Sequence, residues 1–143
     1  MATWVGLLVA AFVAMEGVAY LLHRFVMHGP LWVLHESHHR PRSGRFERND
    51  LFGVIFALPS MALIYAGTHG SPLLLPLGLG MTAYGLAYWG FHDVLVHRRV
   101  RHGYAPKSAY LKRIVRAHMI HHRTHTKDGA SSFGFLYSRT GPA

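Results

Sequence analysis

The chain has 143 residues, room for one domain, and combines a hydrophobic fraction of 50% with 15 Lys and Arg, so its apolar and basic parts must be separated in space. Cysteine is absent, which excludes disulfides, thiolate metal sites and cysteine nucleophiles and leaves nitrogen and oxygen as the available metal ligands. The net charge of +9 does not point to nucleic acid, because every Lys and Arg lies in residues 24–48 or 98–139 and none in the apolar stretches between, the pattern of a membrane protein with one basic face.

Trp4 to Leu22 is apolar except for Glu16 and is long enough to cross a hydrocarbon core of about 30 Å. No basic segment precedes it and no small-residue cleavage site follows, so a first membrane span is expected rather than a cleaved signal. Gly29-Pro30 should stop the helix that continues from this span, and Leu31 to Arg40 can form a short second helix. Leu51 to Ala66 reads as a second span with Pro59 inside it. A tight uncharged turn at 67–72 follows, and Leu73 to Phe91, rich in Gly and aromatics, brings the chain back. Lys107 to His122 has the spacing of an amphipathic interfacial helix, with Tyr110, Leu111, Ile114, Val115 and Met119 on its apolar side. The expected fold is therefore an all-α membrane bundle of about three spans, 4–22, 51–66 and 73–91, with a His-rich helical cap. Charge places the cap in the cytoplasm and the N-terminus outside.

Ten of the 13 His fall into four clusters: His23 with His28, His35 with His38 and His39, His92 with His97, and His118 with His121 and His122. Each half of the chain repeats one order, an apolar span, then H-x4-H, then H-x2-HH. On a helix, residues three and four apart share a face, so each H-x2-HH can aim three imidazoles at one locus. A five-residue step rotates by about 140°, so an H-x4-H pair needs either a distorted helix or two different metals. Ten ligands exceed one six-coordinate ion and suit a binuclear site. His69, His102 and His125 read as ordinary interfacial residues. Imidazole suits Fe, Zn, Cu and Ni alike. Metal-activated attack of O₂ on an apolar substrate fits this setting better than hydrolysis. A metal transporter would need ligands near the bilayer midplane, and a haem carrier would leave most of the ten His unused.

The boxes resemble those of the fatty acid hydroxylase superfamily. Several further motifs look like the pattern of bacterial β-carotene 3-hydroxylases: Met27-His28-Gly29, His38-His39-x-Pro41-Arg42, Asn49-Asp50-Leu51, Gly80 to Leu86, His92-Asp93-x2-Val96-His97, Tyr110-Leu111-Lys112-Arg113 and Ser132 to Tyr137. The resemblance covers almost the whole chain and implies a non-haem monooxygenase. It would hold two Fe on the ten box histidines, with Zn as a substitute on purification. It would hydroxylate C3 of each β-ionone ring with O₂ and electrons from a ferredoxin-type donor, in the bacterial inner membrane. A fatty acid or sterol hydroxylase, or a carotenoid ketolase, is the alternative in the same class. The longer tail that such proteins often carry after Tyr137 is expected to be dispensable.

Beside the boxes, Asp93 and Glu36 are candidates to accept the second N–H of a ligating imidazole. Glu16, two helical turns before His23, is expected to point into the bundle with a partner, since an acidic group inside a span costs about 2.5–3.5 kcal/mol. Tyr84, Tyr88, Phe91 and Phe133 are candidates to line a substrate groove, which Gly78, Gly80, Gly85 and Gly90 would make room for. Arg98, Arg99, Arg101, Lys112, Arg113 and Arg116 form a basic surface suited to an acidic electron donor.

Overall fold

The computed structural model describes residues 1–41 and 44–138. Arg42 of the second box motif and residues 139–143, with Arg139 and the terminal Ala143, lie outside the described residues.

The described residues are helical, with no strand among them. Helix α1 runs Ala2–Leu22 and continues as a wider π-helical turn over His23–Met27. Helix α2, Trp32–His35, tightens into a 3₁₀ turn over Glu36–His39, so the expected single helix from 31 to 40 is two short pieces of different pitch. A 3₁₀ turn, Arg48–Asp50, with a reciprocal Glu47–Asp50 capping box leads into α3, Leu51–Thr68, which keeps Pro59 inside it. Helix α4 runs Leu74–Tyr88 and continues as a π-helix over Trp89–Val96. Helix α5, Ala109–His121, starts where the Ser108 side chain accepts the Leu111 N–H at 3.2 Å.

Three of these helices form the apolar body. α3 and α4 make an antiparallel hairpin, in which the Ser60 hydroxyl donates to the Gly78 carbonyl at 2.8 Å and lies 2.7 Å from the Thr82 hydroxyl. α1 runs parallel to α4. The Phe12 and Tyr84 rings meet edge to face at 5.7 Å, and Glu16 reaches Tyr84 one turn further on. Glycine allows this closeness at two points. A Cβ on Gly80 would overlap the Leu8 carbonyl of α1, and one on Gly78 would come within 2.9 Å of Ser60 and Ile64 on α3.

Two helical stretches, Ala2–Met27 and Arg48–Thr68, are long and apolar enough to cross a membrane. Only 6% of the residues in the most apolar part of the first are buried, so most of its apolar side chains stay at least partly exposed, as on a helix that lies in lipid. The third expected span is shorter as regular helix. Leu74–Tyr88 extends about 22 Å, and only its π-helical continuation to Val96 brings it to bilayer thickness. Three spans is therefore an approximate count. Because α1 and α4 are parallel, the two H-x4-H segments emerge from the same end of the body, and α2 and α5 pack there.

Candidate metal centre

The box histidines meet at this end in two groups of five. His23, His28, His35, His39 and His121 each offer one ring nitrogen within 4.8 Å of all the others, and so do His38, His92, His97, His118 and His122. The grouping crosses the boxes. Each H-x2-HH contributes its first and last histidine to the cluster of its own half and its middle histidine to the other cluster, so the two halves exchange His38 and His121. The expectation that one box aims all three imidazoles at one locus is corrected here. The i, i+4 pair shares a locus, while the i+3 residue points across the gap between the clusters.

The H-x4-H pairs take the distorted-helix alternative. The His28 N–H reaches the His23 carbonyl at 3.0 Å, and the His97 N–H reaches the His92 carbonyl at 2.9 Å. This i→i+5 bonding widens the turn, which brings residues five apart onto one face. His23 with His28, and His92 with His97, can then enter a single cluster.

Tautomers decide whether these clusters fit a cation. His28 Nδ1 lies 2.9 Å from the Lys127 carbonyl oxygen, and His121 Nδ1 lies 2.7 Å from that of Ser131. A carbonyl only accepts, so both Nδ1 atoms must donate and both Nε2 atoms carry lone pairs. Those two Nε2 atoms face each other at 3.1 Å. The same holds for His35 and His39, whose Nδ1 atoms donate to Asn49 Oδ1 and the Thr124 carbonyl and whose Nε2 atoms are 3.2 Å apart. Opposed lone pairs at this distance repel unless a cation lies between them. In the second cluster His38 and His92, whose Nδ1 atoms face Glu47 and Asp93, bring their Nε2 atoms to 2.9 Å. Neighbouring nitrogens on a metal with bonds of about 2.1 Å are about 3 Å apart, so the donor set fits a metal ion in each cluster.

A shared proton is the other cation available, and burial disfavours it. Loss of hydration moves the His39 ring from its ordinary 6.5 down to about 4, and those of His97 and His121 to about 3. His38 and His118 are lowered well below 6.5 for the same first reason, with repulsion from neighbouring imidazoles such as His92 adding to it. The sign of the consequence is fixed. Below pH 6.5 the unfolded chain binds protons that the folded clusters refuse, so the metal-free protein loses stability as pH falls from about 7 toward 4. The loss reaches about 1.4 kcal/mol per pH unit for each such histidine. Thermal unfolding of metal-free protein in detergent at several pH values should show the midpoint dropping over this range. A flat profile would mean that the imidazoles are hydrated in the folded state.

The surroundings of the clusters correct some expectations and add new residues. Asp93 Oδ1 accepts from His92 Nδ1 at 3.3 Å. Glu36 instead pairs with Arg40 at 2.8 Å, and with side-chain exposures of 42% and 53% this is a solvated surface pair that touches no imidazole. Glu47, which the box spacing does not single out, fills that role by accepting from His38 Nδ1 at 3.1 Å. Asn49 does the same for His35 at 2.7 Å; its signal in the sequence was the Asn49-Asp50-Leu51 motif.

Glu16 points into the bundle with partners, but not with an imidazole. Its Oε2 accepts from the Tyr84 hydroxyl at 2.8 Å, and its Oε1 accepts the N–H groups of Phe135, Leu136 and Tyr137 at 2.7, 2.8 and 3.0 Å. It thereby pins the segment whose Phe133 carbonyl accepts from His23 Nδ1 at 3.0 Å.

A cavity of about 800 Å³ lies between α1, α3 and α4, with walls that include Met15, Phe52, Phe56 and Met81, and both clusters border it, through His23 on one side and His92 and His118 on the other. Tyr84, Tyr88 and Phe133 line it, and the Tyr88 ring stacks on His92 at 4.5 Å. Phe91 faces away, into a separate shallow apolar pocket with Leu95 and Tyr104, because the π-helix turns it from the cavity side; it leaves the set of groove residues.

Residues 8–139 match the model of the fatty acid hydroxylase family. The chain belongs to this family. This hydroxylase-family chain is 51% identical over 126 residues to a protein of Pantoea ananas named beta-carotene hydroxylase, covering 88% of this chain and 72% of the relative. It is 49% identical over 133 residues to the beta-carotene hydroxylase of Pseudescherichia vulneris, covering 93% and 76%. The beta-carotene 3-hydroxylase 2 of Arabidopsis thaliana is 43% identical over 118 residues, covering 80% of this chain and 39% of the plant protein. No solved structure matches. Membership, the buried imidazole clusters and the adjoining apolar cavity make this family member an oxygenase-type enzyme associated with the membrane.

Proposed function

We propose that this chain hydroxylates β-carotene at C3 of each β-ionone ring, giving β-cryptoxanthin and then zeaxanthin. The observation that carries the reading is that both five-histidine clusters border one apolar cavity between the apolar helices. The substrate class is supported by relatives at 49% and 51% identity named beta-carotene hydroxylase. The balance is that one C–H bond and O₂, with two electrons and two protons, become C–OH and water.

His23, His28, His35, His39 and His121 would hold one iron, and His38, His92, His97, His118 and His122 the other. Zn can replace iron on purification, since imidazole does not discriminate strongly between them. Iron held there would supply the activation of O₂. The chain's own part is to hold the ring and keep water away. Phe133 and Tyr88 form an aromatic wall beside His23 and His92, and Tyr84 continues it toward α1. In the first cluster the backbone carbonyls and Asn49 that accept from Nδ1 hold each imidazole with its bare nitrogen inward, and in the second Glu47 and Asp93 do so for His38 and His92.

The basic segments at the cluster end support an orientation with that end in the cytoplasm of a bacterial inner membrane and the N-terminus outside. There it would meet a ferredoxin-type donor. Arg98, Arg101, Lys112, Arg113 and Arg116 remain candidates for such docking. Arg99 leaves that set, because its guanidinium turns inward onto Asp50 at 2.6 and 2.7 Å.

Pigment analysis of a β-carotene-producing bacterium that expresses the chain tests the reading. Conversion of most β-carotene to β-cryptoxanthin and zeaxanthin is expected. Keto-carotenoids would make the chain a ketolase, and unchanged β-carotene would move the substrate to another lipid.

A further inference from the structure

The two clusters are alike in ligand type and unlike in what stands behind the ligands. In the first, all five Nδ1 atoms meet uncharged acceptors. These are the carbonyls of Phe133, Lys127, Thr124 and Ser131 and the amide oxygen of Asn49, at 2.7 to 3.0 Å. Asp128 lies near His28 but is exposed, where water and salt screen its field. In the second, His38 and His92 each donate to a carboxylate, Glu47 at 3.1 Å and Asp93 at 3.3 Å.

Those carboxylates are held by their own network. Arg99 grips Asp50 through both terminal nitrogens and reaches Asp93 at 3.3 Å. Asp50 accepts the Glu47 N–H at 2.9 Å and returns its own N–H to the Glu47 side chain. Arg98, in a left-handed conformation with φ of 50°, turns the chain directly after His97, and the Arg99 N–H then closes on the Asp93 carbonyl at 2.9 Å. Glu47 and Asp93 therefore stand as carboxylates behind two ligands of the second cluster, with Asp50 and the Arg99 guanidinium holding them in place. An imidazole whose N–H is given to a carboxylate is a more basic ligand than one whose N–H is given to an amide.

We propose that the two clusters bind metal unequally, with the second the tighter site that fills first, and that Asp50 and Arg99 set this order by positioning Glu47 and Asp93 against His38 and His92. This rests on the reading of the clusters as metal sites. Partial loading would then give a protein with one metal at His38, His92, His97, His118 and His122 before any at the first cluster.

The test is a titration of metal-free protein in detergent with Co²⁺ under competition from a chelator, followed by the visible absorption of the imidazole-bound ion. The parent should bind in two steps at least about tenfold apart. His38→Ala should remove the tighter step and His121→Ala the looser one. Glu47→Gln, which keeps a hydrogen-bond acceptor and loses the charge, should weaken the tighter step by about 10–100-fold and leave the looser one within about twofold. Asn49→Asp, which puts a carboxylate behind His35, should tighten the looser step, a gain that misfolding does not produce. Two equal steps in the parent, equal weakening of both by Glu47→Gln, or no tightening by Asn49→Asp would overturn the order of filling while leaving two metal sites. No Co²⁺ bound by the parent, or binding unchanged in both histidine variants, would overturn the metal-centre reading and the order with it.

Discussion

His38→Ala and His121→Ala are each expected to lower zeaxanthin formation by about a hundredfold or more, with the metal content of the purified protein falling from about two to about one per chain. These two histidines are the ones that cross between halves, so each variant removes a ligand from the cluster served by the other half's box. Loss of a group behind a ligand already costs about 10–100-fold in metal affinity or activity, and loss of the ligand itself should cost at least as much. The helices that carry His38 and His121 do not form the apolar body, so membrane insertion should be unchanged. Metal analysis and pigment extraction from the same preparations check both parts. Near-normal zeaxanthin from both variants would contradict the grouping of the imidazoles.

Glu16→Ala is expected to be the most damaging change outside the histidines. It leaves three backbone N–H groups and the Tyr84 hydroxyl without their acceptor at once. Hydrogen bonds to a charged group contribute about 1.5–3 kcal/mol each, and they fail together here, so a loss of about 3–5 kcal/mol in stability is expected. The Phe133–Tyr137 segment should become cleavable by added protease, and activity should fall because the Phe133 carbonyl no longer orients His23. Glu16→Gln keeps one acceptor oxygen for the backbone nest and an amide that can donate to Tyr84, so it should retain most of the protection. Limited proteolysis and thermal unfolding in detergent measure both. A segment equally protected in parent and Glu16→Ala would show that Glu16 does not hold it.

Much of this arrangement was legible in the amino-acid order, and the parts that were not have physical causes. Apolar runs marked α1, α3 and α4 because a bilayer demands unbroken hydrophobic length, and that demand is local in sequence. The boxes marked the site because thirteen His with no Cys leaves imidazole as the main ligand. The division of ligands was hidden, since helical spacing alone puts His35, His38 and His39 on one face. The tightening of α2 into a 3₁₀ turn, and the approach of α4 from the other side, send His38 to His92 instead, 2.9 Å away.

Glu36 drew attention because it sits inside a box, whereas Glu47 lies nine residues from His38 and reaches it through a loop that no periodicity describes. Phe91 was misplaced for a related reason. Regular helical geometry puts it near Tyr84 and Tyr88, and the π-helical turn rotates it out of the cavity. Each miss involves either a departure from 3.6 residues per turn or a contact made by a loop.

The proposed function requires that the oxygen of each new hydroxyl group come from O₂, whose activation would be supplied by metals held on the ten box histidines. Its most direct test is the growth of β-carotene-producing cells that express the chain under ¹⁸O₂, with mass spectrometry of the zeaxanthin they form. Each of the two hydroxyl groups should carry ¹⁸O, and none should be labelled when the heavy oxygen is supplied as water. Hydroxyl oxygen drawn from water would contradict an oxygenase and leave the two clusters without the chemistry assigned to them.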